Sequence, residues 1–499
     1  MEKIKFISPS DPEIKKSASA EYYPPLGLLQ IATHLKEQLP NLDIEVIDQG
    51  VDKRSLENLL KADVVGVSML TPNALMAEKI IQKAKEQGAI TIAGNDHASQ
   101  RATQLLKNVP ELDYILRGDY TEKPLVKLFK QILAGEKDLE KIPGLSYKSD
   151  SNNIVHNPEE DYPPEDISYA DRSLINPYHQ EVYSKNYKDA YGKHHNKKIK
   201  QTSINIAQGC ERCLGSKCFF CGIEDIRLRN TLPQKAIKEI QYLYETFGYN
   251  YLYVIADDLT SFGKPVRGYQ SIFLKDLAEG WPFKDGEVEI YAYAKADNLM
   301  DKRILNYLKQ LNVSRLNVGF ESGSPKMLKN FMKAASVNIN REATKILREE
   351  GIQLHTSIVL GGIGESKETI EETKEFIKEI IEMSKIDNIR NNIVAIEPAL
   401  LFPIFNSLAW KCMTDYNTAS EFLKRAGMEI DQQKLKSIIN KYQILNEKQH
   451  VFNSEELVKD WVNTFCKIDY DKLQENLVEI KKIIASEKIH TGTYSGTEK

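Results

Sequence analysis

Four of the six cysteines crowd into the stretch Gln201 to Asp225, QTSINIAQGCERCLGSKCFFCGIED. Thiolates gathered this tightly are soft donors that hold a metal ion or a metal–sulfur cluster. Their spacing is Cys210-x2-Cys213, a gap of four residues, then Cys218-x2-Cys221. Four thiolates can close a structural zinc site. A zinc ribbon, however, separates its pairs by about 15 to 20 residues so that two loops meet from opposite sides. An iron–sulfur cluster is tied by thiolates on one continuous loop, which suits the short gap better.

The residues before the loop set its position. Thr202 to Ile206 read as a short buried strand ending at Gln208-Gly209, so the cysteines lie in the loop that leaves it. A strand, Gly209-Cys210, and a last pair Cys218-Phe-Phe-Cys221 together resemble the cluster loop of the radical S-adenosylmethionine (SAM) superfamily. The resemblance implies a [4Fe-4S] cluster held by three cysteines, with the fourth iron open to the amino and carboxylate groups of SAM. The family places three residues between its first two ligands. Here the first ligand is either Cys210, with seven residues intervening before Cys218, or Cys213, with four. Cys210 is preferred because it directly follows the glycine that ends the strand; the second and third ligands are Cys218 and Cys221, and Cys213 is then a spare thiol.

Residues 1–135 alternate short apolar runs (Ile4 to Ser8, Ile44 to Asp48, Val64 to Ser68, Ile90 to Gly94, Tyr114 to Arg117) with helical patterns. Such alternation predicts an α/β domain, a doubly wound parallel sheet, whose ligands sit beyond the carboxyl ends of the strands. The segment YYPPLGLLQIATHLKE from Tyr22 and the phrase VVGVSMLT from Val64 resemble the cobalamin-binding domain that precedes the cluster in many radical SAM enzymes. The resemblance assigns Ser68, Thr71, Gly94, Asn95 and Gly118 to the cobalamin nucleotide tail. The family often has two glycines where this chain has Gly94-Asn95. No Asp-x-His-x-x-Gly loop follows Ser8, so cobalt would lack a histidine from below, leaving His97 as a tail contact or an ordinary loop residue. His34 falls mid-helix and reads as an ordinary surface or packing residue.

Residues 136–200 read as a hairpin around Asp150 to Asn153, followed by an extended polar linker containing Pro158, Pro163, Pro164 and Pro177. Residues 201–410 carry six strand–helix units, a partial (β/α)6 TIM-like barrel, with Thr231-Leu-Pro-Gln234 as a capping box and Gly248 as a helix stop. Partial barrels place their chemistry at the carboxyl rim. By resemblance to the family, the SAM contacts there are Asp257 and Asp258 for the ammonium, Lys295 for the carboxylate, and Glu321 and Ser322 in GFESGS for ribose and methionine. Gly361 and Gly362 in VLGGIGES, with Phe220, would face adenine. Residues 411–499 read as a helical region with a disordered tail.

Composition narrows the class. The 499 residues balance 67 basic against 71 acidic side chains, which leaves no electrostatic footprint for nucleic acid. No stretch has the run of about 18 apolar residues that a membrane span needs, nor does the start offer a signal peptide. A soluble, cytoplasmic protein is expected. The resemblance implies a cobalamin-dependent radical SAM enzyme using a [4Fe-4S] cluster, SAM and cobalamin, with a reducing partner such as flavodoxin or ferredoxin. Its implied reaction is methyl transfer to an unactivated carbon, or another poorly nucleophilic centre, of a small molecule or peptide. A cobalamin-dependent cyclase or rearrangement enzyme, and a non-catalytic zinc protein, stand as the alternatives.

Overall fold

The structure is a computed structural model and describes residues 3–10, 22–136, 138–160, 162, 168–195, 197–223, 227–266, 272–386 and 391–491. They form two compact units, residues 1–187 with 445–452, and residues 188–444 with 453–499. Among the described residues, no helix is long and apolar enough to cross a membrane.

The first unit holds a sheet of seven strands: β1 (Lys3–Ser8), β2 (Asp43–Asp48), β3 (Val64–Ser68), β4 (Ile90–Gly94), β5 (Tyr114–Leu116), β6 (Leu145–Lys148) and β7 (Ile154–His156). Their order is β2-β1-β3-β4-β5-β6-β7. The first five are parallel, and both faces are buried. Ile4, Phe6 and Val46 pack with Leu29 and Phe129 on one side, whereas Ile7, Val65 and Val67 pack with Ile80 and Leu105 on the other. That is why these strands read as nearly unbroken apolar runs. The strand order reverses between β1 and β3, which opens the crevice where such sheets bind ligands.

Two features of this unit differ from the sequence reading. The hairpin is not part of a connector: β6 pairs antiparallel with β5, Tyr114 facing Tyr147, and so covers an edge that would otherwise expose unpaired backbone. The stretch expected as an extended linker contains a helix, Pro177–Tyr191. It holds because Tyr183 and Tyr187, one turn apart, are buried and the Tyr183 hydroxyl donates to Asp48 Oδ2 at 2.7 Å. Pro163 and Pro164 lie outside the described residues.

The second unit is built on β8 (Gln201–Ile204), the two-residue pair β9 (Ala207–Gln208) and β10 (Arg229–Asn230), then β11 (Tyr251–Val254), β12 (Glu289–Ala294), β13 (Val313–Glu321), β14 (Gln353–Leu360) and β15 (Ile393–Leu400). Six of them form one parallel sheet in the order β15-β14-β13-β12-β11-β8, each strand beside its sequence neighbour, as a partial barrel requires. Helix Pro233–Phe247 ends at Gly248 as expected, but its first turn is set by Pro233 behind Leu232, with no side-chain cap; the expected capping box does not form. Helices Tyr416–Arg425, Gln432–Lys448, Ser454–Phe465 and Tyr470–Ser486 follow. The chain end is not all loose: His490 bridges Ala395 of β15. Residues 492–499 lie outside the described residues.

Candidate active site

The cysteine loop starts from a backbone kink. Gly209 has φ +103, and a Cβ there would stand 2.3 Å from the Arg227 carbonyl oxygen, so only glycine fits. Each Cys-x2-Cys pair closes on itself: the Cys213 N–H donates to the Cys210 carbonyl at 2.9 Å, and that of Cys221 to Cys218 at 3.1 Å. Cys213 is buried within the turn Glu211–Leu214. Its thiol hydrogen-bonds that of Cys221 and draws the Cys221 thiol below its usual range. Burial, reinforced by Asp258, pushes Cys210 up to about 12. Lys333 lies within electrostatic reach of both Cys218 and Cys210. Among the described residues no three His, Cys, Asp or Glu side chains converge as a single metal ion needs.

The rim residues divide into those with free acceptors and those already engaged. Asp257 accepts from the Gly209 N–H at 2.8 Å through Oδ2, and burial raises its carboxyl pKa. Asp258 caps its own turn, accepting from the Thr260 N–H at 3.0 Å and from the hydroxyls of Thr260 and Ser261. Ser261 in turn accepts from the Glu211 N–H at 3.0 Å. Asp258 therefore braces the cysteine loop from beneath. Lys295 is paired with Glu211 and lies 3.5 Å from Asp297.

Glu321 sits at φ 63, on an irregularity in the β13–β14 register. Its Oε1 accepts from Lys333 at 3.2 Å and its Oε2 from Ser357 at 3.0 Å. Ser322 is buried against Thr373, oxygen to oxygen 3.0 Å. Gly361 and Gly362 turn their backbone toward the C-terminal helices: Trp461 Nε1–H donates to the Gly361 carbonyl at 2.7 Å, and the Cys466 thiol to that of Gly362 at 3.4 Å. Phe220 meets Phe331 edge-on at 5.4 Å. Lys333, Trp461 and Glu211 escaped the sequence reading because their partners are distant along the chain. Asp258 left a signal: an acid followed two and three residues later by Thr260 and Ser261 is a capping pattern.

In the first unit, Ser68, Thr71, Gly94, Asn95 and Gly118 all lie at the carboxyl ends of β3, β4 and β5. Asn95 has φ 79, the left-handed conformation that asparagine tolerates better than most residues. It thus takes the conformation of the second glycine, and its Nδ2 donates to Ser68 Oγ at 3.0 Å. The Gly118 N–H donates to Ser99 Oγ at 3.3 Å. His97 is no loop residue: it lies in helix Asp96–Gln100, is buried, and meets Thr71 Oγ1 at 3.1 Å through Nδ1. Burial, with the charges of His450 and Arg101, lowers its pKa to about 3, so the ring is neutral. His34 bonds Ser168 at 3.1 Å, a packing role.

Two family models match the chain: the B12 binding domain over residues 16–126 and the radical SAM superfamily over residues 204–377. Among curated relatives, the anaerobic magnesium-protoporphyrin IX monomethyl ester cyclase of Rubrivivax gelatinosus is 24% identical, covering 70% of this chain and 61% of the relative. An uncharacterized methyltransferase of Pyrococcus horikoshii is 23% identical, covering 76% of this chain and 78% of the relative. The chain spans about three-fifths of the length of the cyclases it matches. Among solved structures, the cobalamin-dependent SAM radical enzyme OxsB aligns with TM-score 0.60 at 17% identity, covering 98% of this chain and 62% of that one. The radical SAM methyltransferase TsrM from Kitasatospora setae aligns with TM-score 0.62 at 16% identity, covering 83% and 77%. At these identities the structural likeness establishes a shared fold.

Proposed function

Taking the chain as its two domains make it, a cobalamin-dependent radical SAM enzyme, we propose that it is a methyltransferase acting on an unactivated carbon, or another poorly nucleophilic centre, of a small molecule or peptide. The observation that carries the reading is a loop of turn-closed cysteine pairs under an acidic barrel rim, in a chain whose other unit presents small and polar residues at its switch point. The methyltransferase relative, matched over most of both lengths, favours methyl transfer. The cyclases, at 24% and 26% identity, support the second reading, a cobalamin-dependent cyclisation without methyl transfer.

The thiols of Cys210, Cys218 and Cys221 would hold the [4Fe-4S] cluster, and Cys213 would stay outside the ligand set. When bound, the cluster supplies the electron that cleaves SAM, and cobalamin carries the methyl group. The chain's own residues hold and orient. Asp257, the rim carboxylate not consumed by its own turn, accepts the ammonium of SAM; Asp258 braces the loop instead. Lys295, already paired with Glu211, keeps the loop in place, and its charge is spent there before it meets the SAM carboxylate. Glu321, anchored by Lys333 and Ser357, presents a fixed acceptor to ribose hydroxyls. Ser322, bonded to Thr373, shapes that turn. The Gly361 and Gly362 peptides and Phe220 bound the adenine side. In the first unit Ser68, Thr71, Asn95 and Gly118 receive the cobalamin tail at Gly94. His97, neutral and bonded to Thr71, positions Thr71 and does not reach for cobalt. A low-potential carrier of the flavodoxin or ferredoxin class would supply electrons.

The test is anaerobic reconstitution with cobalamin and methyl-labelled SAM against candidate substrates, read by mass. Label in the product supports methyl transfer. Deoxyadenosine with unlabelled product overturns it in favour of cyclisation.

A further inference from the structure

The inward-facing side chains of the second sheet change character partway up. Gln201 and Ser203 of β8, Tyr251 of β11, Tyr291 of β12, Arg315 and Asn317 of β13, and His355 of β14 are buried. One step toward the carboxyl ends, Tyr253, Tyr293, Gly319, Ser357 and Glu397 are each partly exposed. They come one from each of five successive strands, while the alternate, outward-facing positions such as Leu252, Ala292, Val318 and Ile396 remain buried. The barrel is therefore a cup, closed below and open above.

Its floor is a run of close polar contacts. Tyr291 OH meets His355 Nδ1 at 3.0 Å, and His355 Nε2 stands 3.1 Å from Glu397 Oε1. Oε1 is buried, while the Glu397 side chain as a whole keeps 21% of its surface exposed. Tyr293 hydrogen-bonds Tyr253 and Asn317 and lies in the field of both Glu397 and Asp257. Rings of Tyr253 and Tyr293 are 6.1 Å apart. Lys264, Lys295 and Lys333 at the rim are each already paired, the first two with Glu211 and the third with Glu321. Among the described residues, the opening is lined by Glu397 and the rings of Tyr253 and Tyr293, beside Gly319 and Ser357. Buried acceptors and aromatic faces of this kind attract cations strongly because little water competes.

We propose that the cup binds a positively charged nitrogen of the substrate, an alkylammonium or a protonated amine, with Glu397 as its counter-charge and Tyr253 and Tyr293 as its walls. The inference deepens the enzymatic reading by naming a substrate class and rests on it for the identity of the cup as the substrate site; charge preference itself is measurable without turnover.

The experiment is titration of the full-length chain with choline and with its uncharged carbon isostere 3,3-dimethyl-1-butanol, read by calorimetry. The expected result is choline bound at least about tenfold more tightly than the isostere. Glu397→Gln, which keeps the shape and removes the charge, erases that preference, and Tyr253→Leu weakens choline several-fold with an unchanged circular dichroism spectrum. Equal binding of the two probes, binding of neither, or a preference that survives Glu397→Gln overturns the proposal. Iron content and methyl labelling are read separately, so loss of the proposed function leaves this result standing, and the reverse.

Discussion

The Gly209 N–H donates to Asp257 Oδ2 at 2.8 Å, so the carboxylate expected to meet SAM also pins the glycine from which the cysteine loop departs. The two duties separate by substitution. Asp257→Asn retains an acceptor for Gly209 but loses the charge; Asp257→Ala loses both. Iron per protein is expected to stay near the parent level in the asparagine variant while SAM affinity drops by about tenfold, one charge-assisted hydrogen bond. In the alanine variant iron retention falls too, and the melt reports a loss of about 1 to 3 kcal/mol. Equal iron loss in both variants would show that the bond to Gly209 is not what holds the loop.

Where a residue's role depends on its neighbours in the chain, the sequence was legible. Strands buried on both faces announced themselves as apolar runs, and Gly248 stopped its helix where glycine allows a left-handed turn. Roles set by residues far away were hidden. Nothing local in Leu145 to His156 tells that the hairpin completes a sheet through Tyr114. Nor does Lys295 reveal that Glu211, 84 positions earlier, takes its charge. The spacing of Tyr183 and Tyr187 is helical, but the polar residues around it mask the pattern, and the stretch reads as linker. At the rim, motif resemblance gave Asp257 and Asp258 one role; the structure separates them because only Asp258 has hydroxyls two and three residues ahead to fill its acceptors.

A buried carboxyl gives the second unit a pH dependence. Glu365 accepts from the Thr369 hydroxyl and from the Gly361 N–H, yet burial dominates and raises its pKa from 4.5 to about 7. Because the folded value is the higher one, the folded chain holds a proton that the unfolded chain has already released. The contribution is complete below about 4.5 and is lost as pH rises through about 7. Glu365→Gln should therefore raise the melting temperature at pH 8, by an effect on the order of 3 kcal/mol at most, and change it little at pH 5. A variant equally shifted at both values would show that the carboxyl is not the cause.

Arg101 ties residues 445–452 to the first unit. It donates to Asn446 Oδ1 and to the Asn446 carbonyl, both at 2.6 Å, and to the Gln449 carbonyl. His450 lies 5.8 Å from His97, ring to ring, and 3.2 Å from Glu78. Arg101→Ala leaves Asn446 Oδ1 and the Gln449 carbonyl without this donor, while Gln104 still reaches the Asn446 carbonyl, at a cost of roughly 3 kcal/mol. Limited proteolysis should then cut within 445–452 well before the parent is touched, and Arg101→Lys should recover only part, since lysine lacks the planar fork. Unchanged cleavage would mean that the other ties, Gln104 to Asn446, Asn108 to Lys448 and His450 to Glu78, suffice to hold the segment.

The choice between Cys210 and Cys213 turns on which sulfur the loop can spare. Cys210 follows the Gly209 kink directly, and its thiol senses Cys218 across the loop. Cys213 is buried in the loop's own short helix and contacts Cys221. If three sulfurs suffice, removing the one that is not a ligand should spare the cluster. Cys213→Ala is expected to reconstitute anaerobically with the parent's iron and sulfide content and brown absorption, whereas Cys210→Ala should lose most of both, because each ligating thiolate anchors one iron. The opposite pattern, iron kept in Cys210→Ala and lost in Cys213→Ala, would move the first ligand to Cys213. Loss in both would mean that all four thiols take part in assembling the cluster.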